Sequence, residues 1–401
     1  MAARFLQIHT LTSYPASLLN RDDAGFAKRM PFGGVVRTRI SSQCQKAHWR
    51  AYEGEHALRS IDAPQSVRSR ESFEEYIVKP LVEEGVNADV ARGVARKLVG
   101  RLLGSEQKKQ KAERSSKGKK SLEGEEGPAT EDQTLKTAQV TVLGRPELDY
   151  LCQLARAALK DSSGDRAQAE KTIDAQLRND KELKKNLQAL MPGSLEAGLG
   201  AALFGRMITG DILARTDAAI HVAHAMTVHS QMTESDYFSA LDDLIRNEGE
   251  QESGHINASE LTSGVYYGYV VIDVTGLRSN LGDTEALMGD VVQNLVHMIA
   301  TVSPGAKKGS TAPYSYAHLV LVEAGNAQPR TLQNAFLKPI RSDGDIIENS
   351  YRALAGHMAE LDRIYGKNEQ RAHAGIDSSE HFAGGTDLAR LATWSREQVL
   401  A

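Results

Sequence analysis

The chain has 401 residues, 41% of them hydrophobic and 25% charged, with a net charge of −4. That is an ordinary globular composition, long enough for two or three lobes, and the overall charge argues against a general nucleic-acid binder. No apolar run has membrane-spanning length, no charged start leads into an apolar leader, and Cys44 and Cys152 stand outside any CxxC pair. Neither a zinc ribbon nor a disulfide framework is expected, and a reducing, cytoplasmic setting fits.

The charge is unevenly spread. Residues 1–50 carry Arg4, Arg21, Lys28, Arg29, Arg37, Arg39, Lys46 and Arg50 against Asp22 and Asp23, a local +6 that leaves −10 on the remainder. A basic patch on a mildly acidic body suits local phosphate contact without indiscriminate adhesion.

In chain order, residues 4–11 read as a strand, followed by a polar loop holding Asn20–Asp23. Phe32-Gly33-Gly34 is a turn feeding a second strand, where alternation puts Val36, Thr38 and Ile40 on one face and Val35, Arg37 and Arg39 on the other. Ser42 followed by Gln45 predicts a capping box at a helix start. Within that helix Cys44, Ala47 and Ala51 form a small packing stripe, and Gln43, Lys46 and Arg50 form a polar, cationic one.

Residues 60–200 are charged, rich in alanine and leucine, and helical by pattern, as in Ala88–Leu103 and Pro146–Leu159. Ser105–Gln133 inside them is a lysine run followed by an acidic run and predicts a disordered, solvated loop. Strand patterns return at Ala218–His229 and Gly264–Val274. Thr284–Val302 is a helix with Leu287, Val291, Leu295, Met298 and Val302 on one stripe, followed by a glycine-lysine loop and a strand at Tyr316–Val322. This βαβ-like end, with the opening strand and capped helix, predicts an α+β fold built on an RRM-like or ferredoxin-like sheet with large insertions.

The chemistry-bearing residues concentrate at the predicted helix start. A helix N-terminus offers unpaired N–H groups and a positive dipole end, so Ser41, Gln43, Lys46 and Arg50, with Arg21, Lys28, Arg37 and Arg39 nearby, resemble a track for a sugar-phosphate backbone. His221, His224 and His229 lack the spacing of a metal site and read as structural histidines. Tyr237–Leu241, with Leu244 and Ile245, has the spacing of an amphipathic helix with a buried face, although an aromatic pair in a charged excursion can also wedge between bases. There is no P-loop, GxSxG or paired-carboxylate signature, and Asp22 and Asp23 beside Arg21 are a weak metal-site signal.

NRDD (20–23), FGG (32–34), RTRISSQ (37–43) with Lys46, FGRM (204–207), HVAHAMTVH (221–229), Thr262–Tyr269 and PGAKKGSTAPY (304–314) follow one another in order over nearly the whole chain. In that order they resemble the backbone subunit of the type I-E CRISPR Cascade surveillance complex. The resemblance implies a hand: a modified RRM/ferredoxin-like palm (1–58, 195–230 and 262–401), a helical fingers insertion (59–194, with the disordered loop 105–133 as an addition) and a thumb hairpin or loop (231–261). It implies a non-catalytic protein without metal or cofactor, whose partners are CRISPR RNA, target DNA paired to the guide, further copies of itself and other Cascade subunits.

Residue by residue, the resemblance makes Arg21, Lys28, Ser41, Gln43 and Lys46 RNA-backbone contacts, with Arg50 on a basic position of the same helix. It sets Met207 at a kinked base. Tyr237, Phe238, Ser239 and Leu241 become thumb residues around a displaced nucleotide, which replaces the buried-helix reading. Lys307 and Lys308 fall in a loop near RNA. The alternative is a metal-dependent ribonuclease of the same superfamily that uses Asp22 or Asp23.

Overall fold

The computed structural model describes residues 2–117, 135–162, 164–207, 212–240, 254–341 and 343–401. In chain order the strands are β1 (Phe5–Ser17), β2 (Arg29–Phe32), β3 (Val35–Ile40), β4 (Ser66–Ser69), β5 (Thr141–Gly144), β6 (Ile220–Val222), β7 (Ala225–Thr227), β8 (Thr233–Ala240), β9 (Gly254–Asp273), β10 (Ala317–Gly325) and β11 (Gln370–Gly375). The helices are α1 (Ser42–Ala51), α2 (Lys79–Glu83), α3 (Ala88–Lys117), α4 (Arg145–Asp161), α5 (Arg166–Gln176), α6 (Asp180–Gln188), α7 (Leu199–Phe204), α8 (Val274–Asn280), α9 (Glu285–Thr301), α10 (Lys308–Thr311), α11 (Ile346–Tyr365) and α12 (Leu388–Leu400).

The chain forms two compact units. The first comprises Met1–Ile61, Ile220–Val274 and Glu285–Ala401, and the second Asp62–Ala219 with Thr275–Thr284. The first is organised by one antiparallel sheet in the order β11-β10-β1-β9-β7-β3-β2, with β6 and β8 also paired to β9. β1 is buried along nearly its whole length, as a strand covered on both faces must be. Leu11, Val265, Tyr267, Leu319 and Leu321 meet Leu332, Phe336, Tyr351 and Leu354 on one side. Tyr14, Ile40, Ala225 and Tyr266 pack with Leu19 and Cys44 in a separate cluster.

The predicted α9 stripe is present, with Val291, Leu295 and Met298 fully buried. The Phe32-Gly33-Gly34-Val35 turn also forms as expected. Gly33 and Gly34 take φ of +62° and +81°, the pairing a tight hairpin demands of its two central residues. A Cβ on Gly33 would lie 1.7 Å from the Leu337 carbonyl oxygen, so the hairpin tip seats directly on backbone. β2 is an edge strand and carries Pro31, which leaves that edge one donor short.

Behind β1 lies a buried ionic network. Glu323 on β10 receives Arg330 at 2.6 Å, Arg371 at 2.5 Å and His9 Nε2 at 3.2 Å, while His9 Nδ1 lies 2.8 Å from the Tyr267 hydroxyl. Burial alone would push the Glu323 carboxyl up, but hydrogen bonds from His9 and Arg330 hold it well below the usual carboxylate range. Burial pushes the His9 imidazole below its ordinary value, with the Glu323 bond opposing.

The second unit is helical around Phe73, Ile77, Leu98, Leu148, Leu151 and Ile173, with β4 and β5 as a separate antiparallel ribbon. At its base the Arg206 side chain is fully buried and pairs with Glu147 Oε2 at 2.6 Å. Arg206 also donates twice to the Ala214 carbonyl, and its backbone exchanges bonds with Thr216. The neighbouring Glu196 carboxyl is raised by burial and by the Glu147 charge, although its own backbone and Arg206 oppose this.

Several expectations change. The α1 cap is Ser41, whose hydroxyl accepts from Cys44 N, so the helix starts one residue before the predicted Ser42/Gln45 box. The buried residues of α1 are Ser42 and Trp49, not the Cys44/Ala47/Ala51 stripe, because the indole offers far more apolar area than two alanine methyls. The helix predicted to end at Leu103 continues as α3 to Lys117, since Glu, Gln, Lys, Ala and Arg in 105–117 are good helix formers. The rest of the predicted loop, 118–133, lies outside the described residues. Tyr237–Ala240 belongs to strand β8, with Tyr237 opposite Ala258 and Phe238 opposite Asn257, so cross-strand pairing with β9 overrides the helical spacing.

Candidate nucleic-acid interface

The candidate site is built around the start of α1. Ser41 N donates to Asn20 Oδ1 at 2.8 Å, which fastens the 20–28 loop to the helix N-terminus. Lys28 N donates to the Asn20 carbonyl and Arg39 N to the Lys28 carbonyl, so the loop runs back along β3. Glu260 on β9 anchors its far end, accepting from Ala27 N and from Arg29, both at 2.6 Å. Asp22 Oδ1 accepts from Ala24 N and Phe26 N and shapes the turn from within.

α1 itself carries no acidic side chain and has Lys46 and Arg50 one turn apart. Partial burial, and then the charge of Arg50, lower the Lys46 ammonium below its ordinary value. Arg39 Nη1 lies 2.8 Å from exposed His224 Nδ1. Burial, then Arg39, then Lys28 depress that imidazole, so the histidine stays neutral beside two cations. Lys28 also acts on the Cys44 thiol, which burial raises. Lys28, Arg39, His224 and the start of α1 therefore share one positively charged neighbourhood.

A second loop joins it. Gly305 N donates to His48 Nε2 at 3.3 Å and Ala306 N donates to the Leu18 carbonyl, which brings Lys307 and Lys308 beside α1. Gln43 and Arg21 are exposed, and Lys28, Lys46, Arg50 and Lys307 are half-buried.

Not every predicted residue faces outward. Arg37 is fully buried and donates to the carbonyls of Phe32, Thr227 and Phe336 at 2.8–3.1 Å. It holds the β2–β3 hairpin and is not part of the cationic surface. The Ser41 hydroxyl is occupied as a helix cap, and Ser41 itself is buried. His229 is a structural histidine, accepting from Val265 N and bonded to the Ser230 carbonyl. In the second unit Met207 is 92% exposed, directly after the buried Arg206. Tyr237, Phe238 and Ser239 lie on β8, paired with the long β9, and Leu241 lies outside the described residues.

Sequence reasoning missed the Arg39–His224 pair and the Arg206 anchor. The partners that create them lie 8 to 185 residues away and leave no local spacing signal. Among the described residues, the group of acidic and histidine side chains close enough to share an ion is Glu348, Glu380 and His381, which does not include Asp22 or Asp23.

A capped helix start with cations beside it is an arrangement that can hold phosphate groups. The chain belongs to the CT1975-like protein family, whose profile matches residues 6–395. Comparison with curated proteins finds no match. Among solved structures, the chain is similar to one of a "CRISPR RNA-guided surveillance complex, pre-nicking", with 25% identity, a TM-score of 0.75, and coverage of 98% of this chain and 100% of that one. A second, from a "CRISPR RNA-guided surveillance complex", shares the fold at 22% identity and a TM-score of 0.63, covering 98% and 99%.

Proposed function

We propose that this chain is a non-catalytic, RNA-binding backbone subunit of a CRISPR RNA-guided surveillance complex of type I-E, working in the cytoplasm. The observation that carries the reading is the cationic surface of α1 and its surroundings, where Lys28 and Arg39 lie near the capped N-terminus and Lys46 and Arg50 continue along the helix, on a fold similar end to end to a chain of a CRISPR RNA-guided surveillance complex. Phosphates carry no sequence information, so such a surface holds any guide and leaves base pairing to read the target DNA.

In this reading the sheet is the palm. The order β10-β1-β9-β7, with α1 and α9 as the connecting helices, supports an RRM/ferredoxin-like core. The helical segment is the fingers, and β8 with the outer part of β9 is the thumb, an extended hairpin carrying Tyr237, Phe238 and Ser239. The exposure of Met207 supports a role against a base. Copies of the chain line up along the CRISPR RNA, and other Cascade subunits complete the complex. No described helix is long and apolar enough to cross a membrane.

The ribonuclease alternative is disfavoured because Asp22 Oδ1 holds its own loop, and among the described residues neither Asp22 nor Asp23 belongs to a group able to share an ion. End-labelled CRISPR RNA mixed with the purified chain and Mg²⁺, run native and denatured, tests the proposal. A ladder of shifted bands with intact RNA is expected. RNA shortened by the wild type and left whole by Asp22→Ala or Asp23→Ala establishes the nuclease instead.

A further inference from the structure

Among the described residues, Tyr314 and Tyr316 are aromatic side chains left largely in solvent, at 71% and 72% exposure. They leave the same loop that carries Lys307 and Lys308. That loop is rigidly built. Its two ends are clipped by Ser303, whose hydroxyl donates to the Ser315 carbonyl at 2.9 Å and accepts from Ser315 N at 3.0 Å. Pro313 is buried and lies so close to Gly305 that a Cβ there would meet its Cγ at 2.6 Å. Ala312 takes a left-handed φ of +39°, a conformation an alanine adopts only where its surroundings impose it. The loop is fastened to α1 through Gly305 N and His48 Nε2, and to β1's end through Ala306 N and the Leu18 carbonyl.

Two aromatic rings held in solvent on a preorganised loop, with two lysines on the loop and Lys46 and Arg50 on the helix it abuts, are the two components of a single-strand binding surface. Cations track the backbone, and aromatic faces take the bases irrespective of their identity. We propose that Tyr314 and Tyr316 form a base-stacking ledge for single-stranded RNA whose phosphates run past Lys307 and Lys308. This rests on the RNA-binding reading above and adds base contacts that the cationic surface alone does not supply. Charge complementarity and the pinned loop favour a nucleic acid over a protein partner as the occupant.

The test compares an unstructured RNA oligonucleotide with an abasic one of the same length, by fluorescence anisotropy at fixed salt. The proteins are the full-length wild type, the double variant Tyr314→Ala/Tyr316→Ala and the double variant Tyr314→Phe/Tyr316→Phe. Because both rings are exposed, all three should melt together, which a thermal scan checks. Stacking on one or two rings is worth a factor of about ten to a hundred in affinity. The alanine variant should lose about that factor on normal RNA and nothing on abasic RNA, and the phenylalanine variant should bind like the wild type. Unchanged affinity of the alanine variant for normal RNA overturns the ledge, as does an equal loss on both RNAs, which would make the loop a backbone contact only. A wild type that binds neither RNA removes the RNA-binding reading itself, and the ledge with it.

Discussion

Replacing Arg206 with methionine tests the physical account of the second unit most directly. The guanidinium is fully buried, lies 2.6 Å from Glu147 Oε2, and donates at 3.0 and 2.8 Å to the Ala214 carbonyl. Methionine fills much of the volume but leaves Glu147, 1% exposed at its side chain, held by the Gly144 N–H at 3.0 Å and no longer by the guanidinium. Removing one member of a buried pair strands the other charge and costs about 3–5 kcal/mol. With a urea dependence of about 2 kcal/mol per molar, the unfolding midpoint should fall by about 2 M. Far-UV circular dichroism is the appropriate signal, because Trp49 and Trp394 both lie in the first unit and their emission does not report the second. The double variant Arg206→Met/Glu147→Leu should recover part of the loss, since the Glu147 charge is removed with its partner. A midpoint shift under about 0.5 M for the single variant, or no recovery in the double, would refute the reasoning.

Acid should weaken the first unit through His9 and Glu323. Burial depresses the His9 value, so the stability it contributes is complete above its unfolded value near 6.5 and is lost as pH falls below that. Glu323, also depressed, adds a loss that begins only as pH falls below the ordinary carboxylate value of 4.5. Urea midpoints between pH 8 and 5 should therefore decline in the wild type and decline less in His9→Gln. Ser41→Ala removes the α1 cap and should cost about 1 kcal/mol, read as a drop in unfolding midpoint. Lys46→Ala should weaken RNA binding alike for all sequences and reduce the slope of log affinity against log salt by about 0.7, and a sequence-selective loss in the same titration would contradict it.

How far the sequence leads can be judged from particular elements. The α9 stripe, the β9 strand and the Gly33-Gly34 turn were legible, because each is dictated by local periodicity or by a backbone conformation that only particular residues adopt. The position of the α1 cap differed by one residue because two adjacent serines are equally good caps, and the choice between them rests on Asn20, which is distant in sequence and bonds to Ser41 N. Tyr237–Ala240 carries a helical spacing but lies in a strand, since pairing with β9 outweighs the local amphipathic pattern. Arg37 and Arg39 show the limit most clearly. They are two residues apart on one strand and identical in type, yet one is sealed beneath three carbonyls and the other is half-buried beside exposed His224.

By itself, then, the sequence determined the alternation of strands and helices, the concentration of cations in the first fifty residues, and the order of the motifs on which the resemblance rests. Those are properties of neighbouring residues, and they survive without knowledge of the fold. Only the tertiary structure decided which cations face outward, because burial depends on which distant segments pack against each side chain. It likewise decided that Ser41, held by Asn20, caps a helix, and that Tyr314 and Tyr316 stand in solvent on a loop fastened to α1.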